Sequence, residues 1–243
     1  MFKKILGTGV TRVLNLLIGF ITMLMGTKVL GAAEWGIGFT VLTDITFLLI
    51  GIELVAGSGL VYFTPRKKLS TLMAVSYTWI VMMIAVYALL FWVLSHFPTT
   101  FDHIVPKGYE GITLLLVLVY SFHEFNLNIF LGKERVSTFN WIFLLQILVQ
   151  VCSMALFIFV FHIHDAHAFV YSLFCGYSTA FVVGFIAMLP MLSKDGYDPF
   201  FLTAKEMLRY GAVIQLSTLV STLNRRMSIY LLRQHCTDAA VGV

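Results

Sequence analysis

The chain has 243 residues, of which 59% are hydrophobic and only 12% charged, with a mean hydropathy of +0.91 and a formal net charge of +4. An ordinary soluble domain carries about 25% charged residues, so that class is excluded. What remains is an all-α polytopic membrane protein, because only helices cross lipid one segment at a time without leaving backbone amides unpaired.

Apolar stretches of about 18 or more residues, each able to span roughly 30 Å of hydrocarbon, predict seven helices near 6–30, 37–63, 71–95, 111–132, 139–161, 168–192 and 209–232. The first resembles a signal peptide, with "GAA" at 31–33 as a possible cleavage site. Its apolar stretch is too long, however, and carries Arg12 and Asn15, so it reads as an uncleaved first span. "GAAEWG" reads as a tight hairpin between the first two spans, and "TPRKKLS" and "GKERVS" as later short turns. Before the last span, Thr203-Ala-Lys-Glu206 has the pattern of a capping box. Apolar neighbours such as Phe200, Phe201 and Met207 then predict a short interfacial amphipathic helix or a plain extension of span seven.

Positive charge alternates with the loops. Lys3 and Lys4, Arg66 to Lys68, Lys133 and Arg135, and Lys194, Lys205 and Arg209 fall on one side, while the other holds little beyond Lys28, Lys107 and Arg233. The positive-inside rule places the N-terminus in the cytoplasm. These loops also account for the net charge, which leaves nucleic-acid binding without support.

Polar residues inside the spans recur at three- and four-residue steps and so share helix faces. Span one carries Thr8, Thr11, Arg12, Asn15 and Thr22, span two Thr40, Asp44 and Ser58, and span four Ser121, Glu124 and Asn128. Span five carries Gln146, Gln150 and Ser153, and span seven Gln215, Thr218, Thr222 and Arg225, with Arg226 beside it. Single Gln or Ser residues serve as interhelical contacts, but ionisable groups within a span mark a pathway or a binding site. The stripes are therefore expected to line one water-accessible interior. Glu53, about 180° round the ideal helix from Asp44, is expected to face elsewhere unless "AGSG" at 56–59 bends the helix. His123 reads as a packed neutral histidine, and "FHIHDAH" at 161–167 as a polar turn rather than a metal site. The three cysteines, Cys152, Cys175 and Cys236, are scattered and form neither a zinc spacing nor a disulfide framework. No nucleophile elbow, P-loop, dinucleotide fingerprint or H-E-x-x-H is present, so an enzyme is not expected.

"TRVLNLLIGFITMLMGTKVLGAAEWGI" resembles the opening of bacterial polysaccharide biosynthesis proteins, the O-antigen and lipid-linked oligosaccharide flippases of the multidrug/oligosaccharidyl-lipid/polysaccharide exporter superfamily. "LRYGAVIQLSTLVSTLNRRMSIYLL" resembles the segment that opens their second half, with Tyr210-Gly211, Gln215 and Asn224-Arg225-Arg226 in the matching places. Where relatives place an acidic residue after the arginine, this chain has Ser228.

The resemblance implies a six-helix N-terminal bundle at 1–195, a cytoplasmic linker at 196–208, and at 209–243 the first span and hairpin of an incomplete second bundle. Such exporters have about twelve to fourteen spans, so the chain reads as truncated. Without the opposite wall of the cavity, a fragment inactive on its own is a further expectation. The implied activity is translocation of a polyprenyl-diphosphate-linked oligosaccharide across the bacterial inner membrane for lipopolysaccharide and related cell-surface polysaccharides. Contacts with membrane lipid, glycosyltransferases or a polysaccharide polymerase go with that activity. Arg12, Arg225 and Arg226 would hold the diphosphate, while Asn15, Gln146, Gln150 and Gln215 would meet the sugars. Asp44 and Glu124 would bind a coupling H+ or Na+, with no cofactor. The alternatives are a cation-coupled multidrug antiporter of the same superfamily and a membrane-embedded glycosyl- or acyltransferase.

Overall fold

A computed structural model of the chain describes residues 2–96, 105–192 and 196–235. The side chains of residues 1–8, 217–219, 222 and 224–235 lie outside that description. The described residues are helical and contain no strand. Helix α1 spans Phe2–Met25 and runs into a π-helical turn, Gly26–Leu30. α2 is Ala32–Ala56, α3 Gly59–Phe63, α4 Leu69–Leu94 and α5 Glu110–Gly132. α6 is Val136–Phe159, α7 Ala166–Met188 and α8 Phe200–His235.

Six segments are long and apolar enough to cross a membrane, and they coincide with the first six expected spans: Gly9–Leu30, Ala32–Phe63, Leu69–Leu94, Glu110–Gly132, Val136–Phe159 and Ala166–Met191. The seventh expected span forms the distal part of α8, a single helix of 36 residues. The surface is apolar outside as well as inside. Leu16, Phe20, Leu89, Trp92, Trp141 and Ile186 are all exposed, as the flanks of a bundle immersed in hydrocarbon must be.

Two junctions differ from the sequence reading. "GAAEWG" is not a separate hairpin: Gly31 alone turns the chain at φ 87°, and α2 begins at once with Ala32. Trp35, on the first turn of α2, lies over Gly26, where a Cβ would meet its ring. Thr203 caps nothing. Its amide donates to the Pro199 carbonyl at 3.0 Å, so the helix already encloses it, and Glu206 instead pairs with Lys67 at 2.7 Å. A separate amphipathic helix is therefore absent, and α8 runs unbroken from Phe200. Proline at the entrance explains this start, since its missing N–H costs nothing there.

α2 is the axis of the bundle, packing against α4, α5, α7 and α8; α6 and α7 pair side by side, and α1 leans on α6. Glycine sets the closest approaches. A Cβ on Gly176 of α7 would meet the Gln146 carbonyl at 2.8 Å, and one on Gly211 of α8 would fall 1.7 Å from the Leu54 carbonyl of α2. Small residues permit such backbone contact, the principal source of helix association in lipid.

The span expected as one helix over 37–63 is broken at 56–59, the place where the sequence left a bend open. Gly57, at φ −92° and ψ −153°, separates α2 from α3, and its N–H still reaches the Glu53 carbonyl at 3.2 Å. The ends of the helices gather alternate loops. At one end Lys67 meets Glu206, and the Lys68 N–H donates to Asp198 at 2.7 Å. At the other end the Ala166 N–H donates to Glu34 at 2.9 Å. This is the alternation that the charge pattern requires.

The contact at Gly211 can be tested against an open glycine. Gly211→Ala should lower the thermal unfolding midpoint by the equivalent of about 1–3 kcal/mol, the usual cost of overpacking. Gly19→Ala, with nothing within 4 Å, should leave the midpoint unchanged or raise it by up to about 1 kcal/mol through helix propensity.

Candidate functional site

The polar interior is built on α2, α5, α7 and α8. Tyr120 and Glu124 stand four residues apart on α5, one turn on the same face, within interacting reach of each other. The Tyr120 hydroxyl is in turn joined to Tyr177 of α7, their rings tilted with centroids 4.5 Å apart. Glu53 of α2 is close enough for its charge to act on both Glu124 and Tyr120. From α8, Gln215 donates its Nε2–H to Glu53 Oε2 at 2.7 Å. The cluster thus runs Gln215, Glu53, Glu124, Tyr120, Tyr177 across four helices.

Glu53, Tyr120, Glu124 and Tyr177 each keep part of their surface open although they lie deep in the bundle. Such partial opening is what a hollow beside these four side chains would leave. Aromatic rings form the surroundings: Tyr77 packs on Phe122 and Phe125, and Phe122 stacks on Phe181. His123, one residue from Glu124, is 1% exposed and tilts against Tyr177. It is a packed histidine.

Backbone carbonyls of α2 also hold α4. Trp79 Nε1–H of α4 donates to the Gly51 carbonyl at 3.1 Å, and Tyr87 O–H to the Leu48 carbonyl at 2.7 Å. Here α4 supplies its donors to carbonyls already engaged within the helix, which ties α4 to α2 without an ion pair.

The residues expected to act together are divided. Glu124 and Gln215 belong to the cluster. Gln146 and Gln150 hydrogen-bond to each other at 3.0 Å on α6, at the crossing with Gly176 and one residue from Tyr177. Asp44 is 3% exposed, two and a half turns from Glu53, and it is Glu53 that adjoins Glu124. The 180° separation of the two acids is as expected, but the face assigned to the interior is the opposite one.

Arg12 is exposed on α1, and Asn15 is half-buried. α1 meets its neighbours along Ile18, Thr22 and Gly26, and Arg12 sits about 80° round the helix from the centre of that line. Among the described residues, Arg12 is therefore not brought to the acid cluster. The side chains of Thr218, Thr222, Arg225 and Arg226 lie outside the described residues. No family, curated protein or solved structure matches this chain.

Three members of the cluster escaped sequence reasoning. Tyr120 had a signal, its four-residue spacing from Glu124. Glu53 stood out as an acid within a span but was expected to face elsewhere, and Tyr177 had no signal, because their partners stand on other helices. Asn126 was missed too: it donates to the Phe181 carbonyl at 3.1 Å and rests against Gly184, linking α5 to α7.

At the opposite end of the bundle, "HIHDAH" forms a helix cap. Asp165 accepts from the His167 N–H at 3.0 Å, and Glu34 holds the Ala166 N–H. His167 stacks on Tyr109 with centroids 4.5 Å apart, its Nδ1 lying 3.1 Å from the Tyr109 hydroxyl. No group of three or more ligands able to hold a metal occurs among the described residues. Burial, then the charges of Asp165 and Glu34, push the Tyr109 phenol well above its ordinary range.

A phenol raised on folding favours the folded state while it stays protonated, so its contribution is complete below the unfolded value of about 10 and is lost above it. Stability of the purified protein should therefore fall with pH above about 10. In Tyr109→Phe that alkaline fall should be shallower, with a constant loss of about 1 kcal/mol at neutral pH from the missing hydrogen bond. Equal alkaline slopes in denaturation curves for the two proteins would contradict this assignment.

Proposed function

We propose that the chain is a membrane transporter whose working interior is the Glu53–Glu124 cluster, and that its cargo is an oligosaccharide carried on a polyprenyl diphosphate. The observation that carries the transport reading is the pair of acids, flanked by tyrosines and open to a hollow, inside a bundle whose exterior is apolar. A charged group inside a membrane is costly, by roughly 2.5–3.5 kcal/mol on insertion scales, and persists where it serves a pathway. The cargo rests on the resemblance of the first and last spans to lipid-linked oligosaccharide flippases. An inner-membrane setting with a cytoplasmic N-terminus goes with the same reading.

Within this reading the parts have separate tasks. Arg12, exposed on α1, offers a guanidinium fork to a diphosphate head group, and Arg225 and Arg226 offer two more. Gln146 and Gln150 already form an amide ladder at the α6–α7 crossing and can exchange that bond for sugar hydroxyls. Glu53 and Glu124 take the coupling cation. Their release of it alters the grip of Gln215 on Glu53, and with it the attachment of α8. Rocking of one bundle against another then exposes the interior to alternate faces.

One feature of the site favours a second reading, export of an organic cation. Acids among Tyr77, Tyr120 and Tyr177 are the surroundings that a desolvated cation prefers. The two readings differ in cargo rather than in mechanism.

Allele replacement in the native host separates them. Glu124→Gln and Arg12→Gln should each lower surface glycan by roughly tenfold or more, the scale of losing one hydrogen bond to a charged group (~1.5–3 kcal/mol), with lipid-linked precursor accumulating inside. Undiminished glycan at normal protein abundance, together with failure to expel a cationic dye in Glu124→Gln, transfers the function to the second reading.

A further inference from the structure

Gln215 carries an unmet requirement. It is 5% exposed, its Nε2–H is given to Glu53 Oε2 at 2.7 Å, and its Oε1 accepts from nothing. A buried acceptor without a donor costs about 1–3 kcal/mol. The group facing it is a carboxyl, which has no hydrogen to give when ionised and one O–H to give when protonated.

Every titratable neighbour points the same way. From α5 Glu53 is faced by Glu124 and Tyr120, from α8 by neutral Gln215, and Tyr177 of α7 stands behind Tyr120. On α4 the polar neighbour is the Trp79 indole, held by the Gly51 carbonyl. Among the described residues no Lys, Arg or His pairs with either acid. Two like charges within one site of low dielectric repel, and neutralising one of them is the ordinary resolution.

We propose that Glu53 and Gln215 form a proton site: one proton held on the Glu53 carboxyl, donated to Gln215 Oε1 while the Gln215 amide donates back, and exchanged with Glu124. The proton moves between carboxyl oxygens and no other bond changes. The ionised partner keeps the Tyr120 O–H as its donor, and Tyr177 supports that hydroxyl from α7. Because Gln215 belongs to α8, the protonated acid binds α8 to α2 by two hydrogen bonds and the ionised one by one. The site thus couples proton occupancy to attachment of α8, one turn beyond the close contact of Gly211 with Leu54. Its role in coupling rests on the transport reading above; the bound proton does not.

Infrared difference spectroscopy of the full chain in lipid, recorded across a pH series, tests this without any transport assay. A carboxylic-acid C=O band should be present at neutral pH, unchanged when sodium is replaced by a bulky organic cation. Glu53→Gln should abolish it. Gln215→Leu should retain it at higher frequency, because the acid carbonyl loses its amide donor. A band absent at neutral pH from the wild-type protein, or one that sodium removes, overturns the proton site; so does a band that survives Glu53→Gln. Should Glu53→Gln not accumulate, isotope-edited spectra of the wild-type chain with labelled glutamate carboxyls decide the matter, since a band that does not shift with the label is not a glutamic acid. Undiminished surface glycan in Glu124→Gln and Arg12→Gln, with the band intact in the wild-type chain, would overturn the cargo and leave the proton in place.

Discussion

Hydrocarbon offers a polar group no partner, so every polar atom within a membrane span must be satisfied by the protein or by water that the protein admits. This constraint orders the whole chain. It keeps the backbone helical, turns apolar side chains outward as well as inward, and makes each polar side chain a statement about its neighbours. Thr22, Thr40, Thr43, Thr46, Ser121 and Ser153 meet it locally by bonding back to carbonyls of their own helix. Trp79 and Tyr87 meet it by reaching a neighbouring helix, and Asn126 does so with its amide N–H while its Oδ1 stays without a donor. Glu53 meets it through Gln215 of α8, whose own Oε1 is left without a donor.

The same constraint separates structural from functional polarity. The α2–α4 contact uses neutral donors on carbonyls, and the α5–α7 contact uses an amide against a glycine. Both are dry arrangements that hold helices at fixed distance. The acid cluster instead unites four helices through groups that can change charge, beside the one break in α2 at Gly57. A helix interrupted next to ionisable side chains has freed backbone groups and a pivot at the same level. That combination is how irregular backbone earns its place at membrane depth.

Much of this was legible in the sequence. Six spans coincide with apolar runs because length and hydropathy are local properties. The packed state of His123 was visible for the same reason, since helical phase acts within one helix, and "AGSG" marked where a bend could fall. What escaped was the choice of face. Phase placed Asp44 and Glu53 on opposite sides of α2 but could not say which side meets α5, because both sides of that central helix are covered. The capping box failed on a nearer cause: Pro199 starts α8 earlier, so Thr203 lies inside the helix. Arg12 looked like a cavity residue because its charge was counted without knowing that α1 leans on α6.

The central claim is that Glu124 borders a hollow that water reaches, whereas its neighbour His123 does not. Cysteine placed singly at 124, at 123 and at exposed Lys133 as a control, in a chain whose Cys152, Cys175 and Cys236 are serine, tests it with a small membrane-impermeant thiol reagent. The structure predicts reaction at 124 and 133 and none at 123. Reaction at 133 alone, with 124 as silent as 123, would contradict the account.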